Sequence, residues 1–183
     1  MAKVYIFLAN GFEEIEGLTV VDLLRRAKID VEMVSVEESI YVTGSHNIEV
    51  KADCLFKKAK FDEVDMLVLP GGMPGTIKLL HHTELVEKIK EFHKAGKMLA
   101  AICAAPSVLG AYGVLNGKKA VCYPGFEEKL LGAHVEKQPV IQDENVITSR
   151  GMGTAIDFSL KIIEHFSGKE KADEIKESII YSN

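Results

Sequence analysis

The sequence predicts an α/β fold, a mostly parallel central sheet with helices on both faces, as a single domain over residues 1–183. Three observations carry this. Short apolar runs alternate with longer segments of helical period. Several of those runs are unbroken, the pattern of strands covered on both faces rather than on one. No repeat, low-complexity tract or linker interrupts the series. Strand–helix alternation in turn implies right-handed crossovers, and hence parallel strands.

Along the chain the strand candidates are Val4–Ala9, Val31–Val36, Met66–Leu69, Met98–Ile102, Lys119–Cys122 and Val146–Thr148. Helical stripes fall between them: Val20, Leu23, Leu24 and Ala27, then Leu85, Ile89 and Phe92, then Ile156, Leu160 and Ile163. The stretch Ser39–Asp53 reads as a small hairpin appended to the sheet, turning at Thr43-Gly44-Ser45.

Composition narrows the functional classes. With 183 residues, 47% hydrophobic and 27% charged, the chain can bury a full core without a disulfide or metal staple. Lys+Arg 22 against Asp+Glu 27 leaves a formal charge of −5, which argues against a specific nucleic-acid partner. No apolar run is long enough to span a membrane. Acids at Glu13, Glu14 and Glu16 follow the first apolar run at once, which argues against a secretory leader. Three cysteines, at 54, 103 and 122, fit neither a disulfide framework nor a zinc site and point to a reducing, cytoplasmic setting. No metal site is expected.

Four unusual segments share one place in the predicted topology. Gly11-Phe12-Glu13-Glu14-Ile15-Glu16, Pro70-Gly71-Gly72-Met73-Pro74-Gly75, Cys103, and Ser149-Arg150-Gly151-Met152-Gly153 all follow predicted strands. In a parallel sheet these are carboxyl ends on one edge, where open α/β sheets bind ligands. Cys103 lies between a strand and a helix-like segment Pro106–Tyr112, with Ala101 and Ala105 nearby, the small-residue surroundings of a nucleophile elbow. A helix N-terminus favours thiolate, so a depressed thiol pKa is expected there. The plain alternative is a small buried hydrophobe, as Cys54 and Cys122 read. Glu16 falls on the core-facing stripe of the first helix, where desolvation keeps a carboxyl protonated; its alternative is a first-turn acid, as Glu13 and Glu14 read. Gly71-Gly72 can offer N–H groups to an oxyanion or simply turn the chain. Arg150-Gly151-Met152-Gly153 is no phosphate fingerprint, and Arg150 either organises the site or pairs with an acid. Histidines 81, 82 and 93 read as solvated, and no histidine is adjacent to Cys103.

Taken together, Gly11–Glu16, Leu69-Pro70-Gly71-Gly72, Ala100–Pro106 and Thr148–Thr154 resemble the ThiJ/PfpI superfamily, and within it the branch of the Parkinsonism-associated protein deglycase. The resemblance runs in order across nearly the whole chain. It implies a flavodoxin-like three-layer sandwich, a homodimer and no cofactor. It implies a reactive Cys103, a protonated Glu16, and an oxyanion site from the N–H groups of Gly72 and Ala104. Activities it implies act on a small α-oxoaldehyde or a glycated substrate (glyoxalase without glutathione, deglycation), or make a redox-sensing chaperone whose Cys103 is oxidised. A thiazole monophosphate biosynthesis label, also found in the family, has no support in these residues. Two departures stand out. Protease-like members carry His after the nucleophile where this chain has Ala104, so peptidase activity is not expected. The branch has His before the proline of Cys122-Tyr123-Pro124, where this chain has Tyr123, which leaves Glu16 or water to move protons. Tyr123, Arg150 and Gly151 complete the expected substrate-binding set.

Overall fold

The computed structural model describes residues 2–181. In chain order its elements are β1 (Lys3–Leu8), α1 (Glu14–Arg26), β2 (Asp30–Ser35), β3 (Tyr41–Thr43), β4 (Glu49–Lys51), β5 (Cys54–Leu55), β6 (Met66–Leu69), α2 (Gly75–His81), α3 (Thr83–Lys94) and β7 (Met98–Ile102). Then follow α4 (Pro106–Ala111), β8 (Lys119–Ala120), β9 (His134–Val135), β10 (Val140–Asp143), β11 (Val146–Ser149), α5 (Ala155–Ser167) and α6 (Lys169–Ser178).

Seven strands form the central sheet in the order β10-β11-β7-β6-β1-β2-β5. Every pairing is parallel except β10 with β11. The unbroken apolar runs have a direct cause. On β1, Val4, Ile6 and Leu8 enter one core with Val20 and Leu24 of α1 and Phe158 and Ile162 of α5. Tyr5 and Phe7 enter the other, with Leu85, Ile89 and Phe92 of α3 and Val108 and Leu109 of α4. β6 and β7 divide their side chains the same way, so each central strand is covered twice.

The helices begin and end where their chemistry directs. Acids Glu14 and Glu16 occupy the first turn of α1 and Arg25 and Arg26 the last, matching the helix dipole. Lys28 beyond it adopts φ +63°, the left-handed stop. Pro106 stands at the start of α4, where its fixed φ suits a helix.

Three expectations need correction. Lys119–Cys122 is not a strand of the main sheet: only Lys119–Ala120 is extended, and it pairs with β9 in a separate two-stranded sheet. The outer position is taken by β10, whose half-buried pattern is that of an edge strand. The hairpin in Ser39–Asp53 forms, but β3 and β4 make their own two-stranded sheet. And His82 is not a solvated side chain: its Nδ1 accepts the Leu85 N–H at 3.1 Å, capping α3, and its ring packs on Phe56.

Candidate active site

The chain leaves β1 toward β2 on one side and later returns to place β6 on the other, so β1 and β6 flank the switch point of the sheet. The loops leaving these two strands interlock. Glu13 N–H donates to Gly71 O at 2.9 Å, and Gly75 N–H to Gly11 O at 3.2 Å. Gly11 and Gly72 both sit at φ +89°, and a Cβ on either would run into the opposite loop's backbone.

Cys103 follows β7 beside this junction and has φ +65°, a left-handed conformation that non-glycine residues seldom hold. Three bonds fix it there. Its own N–H donates to Ser149 O at 3.0 Å, Ala105 N–H to Ile102 O at 3.0 Å, and Tyr123 N–H to the Cys103 carbonyl at 2.8 Å. Such strain costs roughly 1–3 kcal/mol and persists only where the surroundings impose it. The elbow read from the sequence is therefore present, with Ala104 and Ala105 buried around it.

Glu16 reaches the same point from the first turn of α1. It is 1% exposed, stands beside the Cys103 sulfur, and accepts the Gly71 N–H at 2.9 Å on Oε2. Burial pushes its carboxyl up to about 7. A Cβ on Gly71 would lie 2.6 Å from both the Cys103 Cβ and Glu16 Oε2, so glycine is what lets the two groups meet. The same bond commits the Gly71 N–H to the carboxyl; Gly71 backs Glu16 and does not face the cleft. The expected depression of the thiol is overturned. Burial, then the negative charge of Glu16, push Cys103 up to about 12, and the N–H groups of Ala104 and Gly72 offset only part of this. Helix α4 has six residues and stands against two larger opposing effects.

An open cleft of about 670 Å³ lies over the sulfur. It brings together Cys103, Glu16, Gly72, Ala104, Tyr123, Arg150 and Gly151 from the sequence-derived set. Ser149 and Thr154 hydroxyls bond at 2.7 Å, and Thr154 Oγ1 also links the N–H and carbonyl of Gly151, bracing the turn that carries Arg150. Arg150 forms no ion pair among the described residues. Cys54 and Cys122 lie outside the cleft, Cys122 buried and Cys54 half-buried.

The sequence did not point to His46, which lines the cleft from the β3–β4 turn. Its ring Nδ1 lies 3.0 Å from Glu14 Oε2, an acid 97% shielded within α1, and 3.5 Å from Glu13. That hydrogen bond raises the imidazole pKa. Burial pushes Glu14 up, but the His46 ring and N–H groups outweigh it and hold the carboxyl below its ordinary range. Glu13, Glu14 and His46 are the one group of possible metal donors among the described residues, and Glu14 is already committed to His46. No local pattern reveals this pairing, because the partners are 32 positions apart.

The sequence profile of the DJ-1/PfpI family matches residues 2–165. The chain belongs to that family. Within its DJ-1 branch, the chain is 41% identical over 180 residues to Protein DJ-1 homolog A of Arabidopsis thaliana, covering 97% of this chain and 46% of the plant protein. It thus spans less than half the length of that relative. A protein of Pyrococcus horikoshii named a deglycase is 35% identical over 151 residues, 81% of this chain and 89% of its own. The solved structure of Toxoplasma gondii DJ-1, described as oxidized, superposes with a TM-score of 0.96 at 36% identity over the whole of both chains. No helix among the described residues is long and apolar enough to cross a membrane.

Proposed function

We propose that this DJ-1/PfpI protein is a cofactor-independent, cysteine-dependent enzyme acting on α-oxoaldehydes and their early adducts. One observation carries the reading: a sulfur on a strained elbow, set beside a buried carboxyl at the floor of an open cleft. The deglycase name of the Pyrococcus relative supports the substrate class.

Cys103 and Glu16 titrate as a pair that keeps one proton above pH about 7. With that proton on Glu16, Sγ is the nucleophile, and the Ala104 and Gly72 N–H groups stabilise it. Sγ adds to the aldehyde carbon of methylglyoxal, forming a C–S bond. The new oxyanion meets the same two N–H groups. Glu16 gives its proton to that oxyanion, completing the hemithioacetal. As a carboxylate it then takes the C1 proton and returns it to the C2 carbon through an enediolate, while the C1 hydroxyl proton passes to the C2 oxygen, leaving a lactoyl thioester. Water cleaves that ester, releases lactate and restores the thiol, so the net change is addition of one water. An acid titrating near 7 suits both halves of this transfer. Arg150 and Tyr123, which line the same cleft, supply the polar groups for the substrate's second oxygen.

The decisive experiment follows lactate formed from methylglyoxal by the wild type and by Cys103→Ser. Turnover falls at least ~10³-fold in the variant; undiminished lactate would refute the mechanism. A second reading, a redox sensor, is favoured by the accessible thiol and by the oxidized state of the Toxoplasma relative. On that reading a peroxide titration adds two oxygens to Cys103 alone, read by intact mass; no selective uptake excludes it.

A further inference from the structure

A second concavity, about 340 Å³, opens between α2, α4 and the turn around residues 126–131. That volume lies within the range of ligand pockets, about 300–1,000 Å³. Its walls are mainly apolar: Met73, Ile77, Leu80, Phe126 and Leu131. Met73, Ile77 and Leu131 are each about half exposed, although large apolar side chains gathered in one hollow are costly to leave wetted. The hollow is preformed rather than loose. A Cβ on Gly110 of α4 would lie 2.5 Å from the Lys129 carbonyl, so helix and turn are in backbone contact. In its wall, Thr76 is 2% exposed and its hydroxyl finds no partner among the described residues.

Its position adjoins the cleft over the sulfur. Met73 and Phe126 line both this groove and the cleft over Cys103. A molecule held at the sulfur therefore has an apolar recess on the far side of those two side chains. A three-carbon aldehyde fills only a small part of the 670 Å³ cleft and has nothing to place beyond it. A glycated peptide does: its adduct enters the cleft while a neighbouring side chain projects past Met73 and Phe126.

We infer that the groove is a subsite for an apolar side chain flanking a methylglyoxal-modified lysine, so that peptide-borne adducts are selected by their sequence. This rests on the proposed function and refines its substrate class. No covalent step beyond the one described is involved.

The probe is a pair of peptides carrying Nε-lactoyl-lysine, the stable isomer of the methylglyoxal adduct, followed by leucine in one and serine in the other. Each competes with methylglyoxal turnover by the full chain, and its direct binding is measured by calorimetry. The leucine peptide binds about tenfold more tightly, as burial of one such side chain allows. Ile77→Asp and Leu131→Asp, both at solvent-exposed positions, abolish the difference and leave kcat/KM for methylglyoxal unchanged. Equal affinities in the wild type, or a preference surviving both variants, overturn the inference. A change of oligomeric mass in the variants also overturns it, by making the groove a contact between copies of the chain. If methylglyoxal is not turned over, the enzymatic reading fails, while calorimetry still decides whether the groove discriminates the peptides.

Discussion

Replacing Glu16 by Gln changes how stability depends on pH, and the size of the change follows from its burial. The carboxyl titrates at its ordinary 4.5 in the unfolded chain and at about 7 when folded. A carboxyl raised in this way is tolerated while protonated and destabilises once ionised. The cost appears as pH rises above 4.5 and is complete above 7. At about 1.4 kcal/mol per unit, the full cost is about 3.4 kcal/mol. Roughly 0.8 kcal/mol of it has appeared by pH 5 and nearly all by pH 8, so about 2.5 kcal/mol separates the two. Urea unfolding of wild type and Glu16→Gln at both values is the assay. The difference between the proteins cancels the titrating groups that Glu16 does not touch, and the thiol coupled to it stays protonated over this range, so the variant gains about 2.5 kcal/mol relative to wild type on going from pH 5 to 8. Parallel pH profiles for the two proteins would refute the claim that this acid is desolvated in the fold.

Other outcomes follow from the same geometry. Gly71→Ala places a methyl against both the sulfur and the Glu16 carboxyl, so iodoacetamide labelling of Cys103 at pH 7.5 slows at least ~10-fold, read by mass spectrometry. Gly72→Ala meets φ +89° and the facing loop's backbone, and lowers stability by about 1–3 kcal/mol or more in urea unfolding. Thr154→Val removes the hydroxyl that braces Gly151 and costs about 1–3 kcal/mol, with a higher KM for methylglyoxal as Arg150 loosens. Glu14→Gln lets the His46 pKa fall back toward its ordinary value, followed by the imidazole proton shift in NMR.

Legibility in the sequence tracked how strongly each residue's surroundings were encoded locally. The central strands were readable because Tyr5 and Phe7 are as apolar as Val4, Ile6 and Leu8, and only double coverage accounts for that. Glu16 was readable because a charge on an otherwise apolar stripe conflicts with its neighbours. Helix α6 was not: it is largely Lys and Glu, burying only Ala172 and Ile175, too few to show a period. Nor was β10, which alternates weakly at the edge of the sheet. The Cys103 elbow could be inferred from its alanines and proline, yet its protonation could not. A helix terminus is written in adjacent residues, whereas the opposing Glu16 arrives from 87 positions away, as 103 − 16 shows. His46 was hidden for the same reason.

The hydrogen bond from the Tyr123 amide to the Cys103 carbonyl has a wider consequence. It ties one face of the reaction chamber to the backbone of the reacting residue itself. The Tyr123 wall and the left-handed backbone at Cys103 therefore share one constraint, and neither can shift without lengthening that bond.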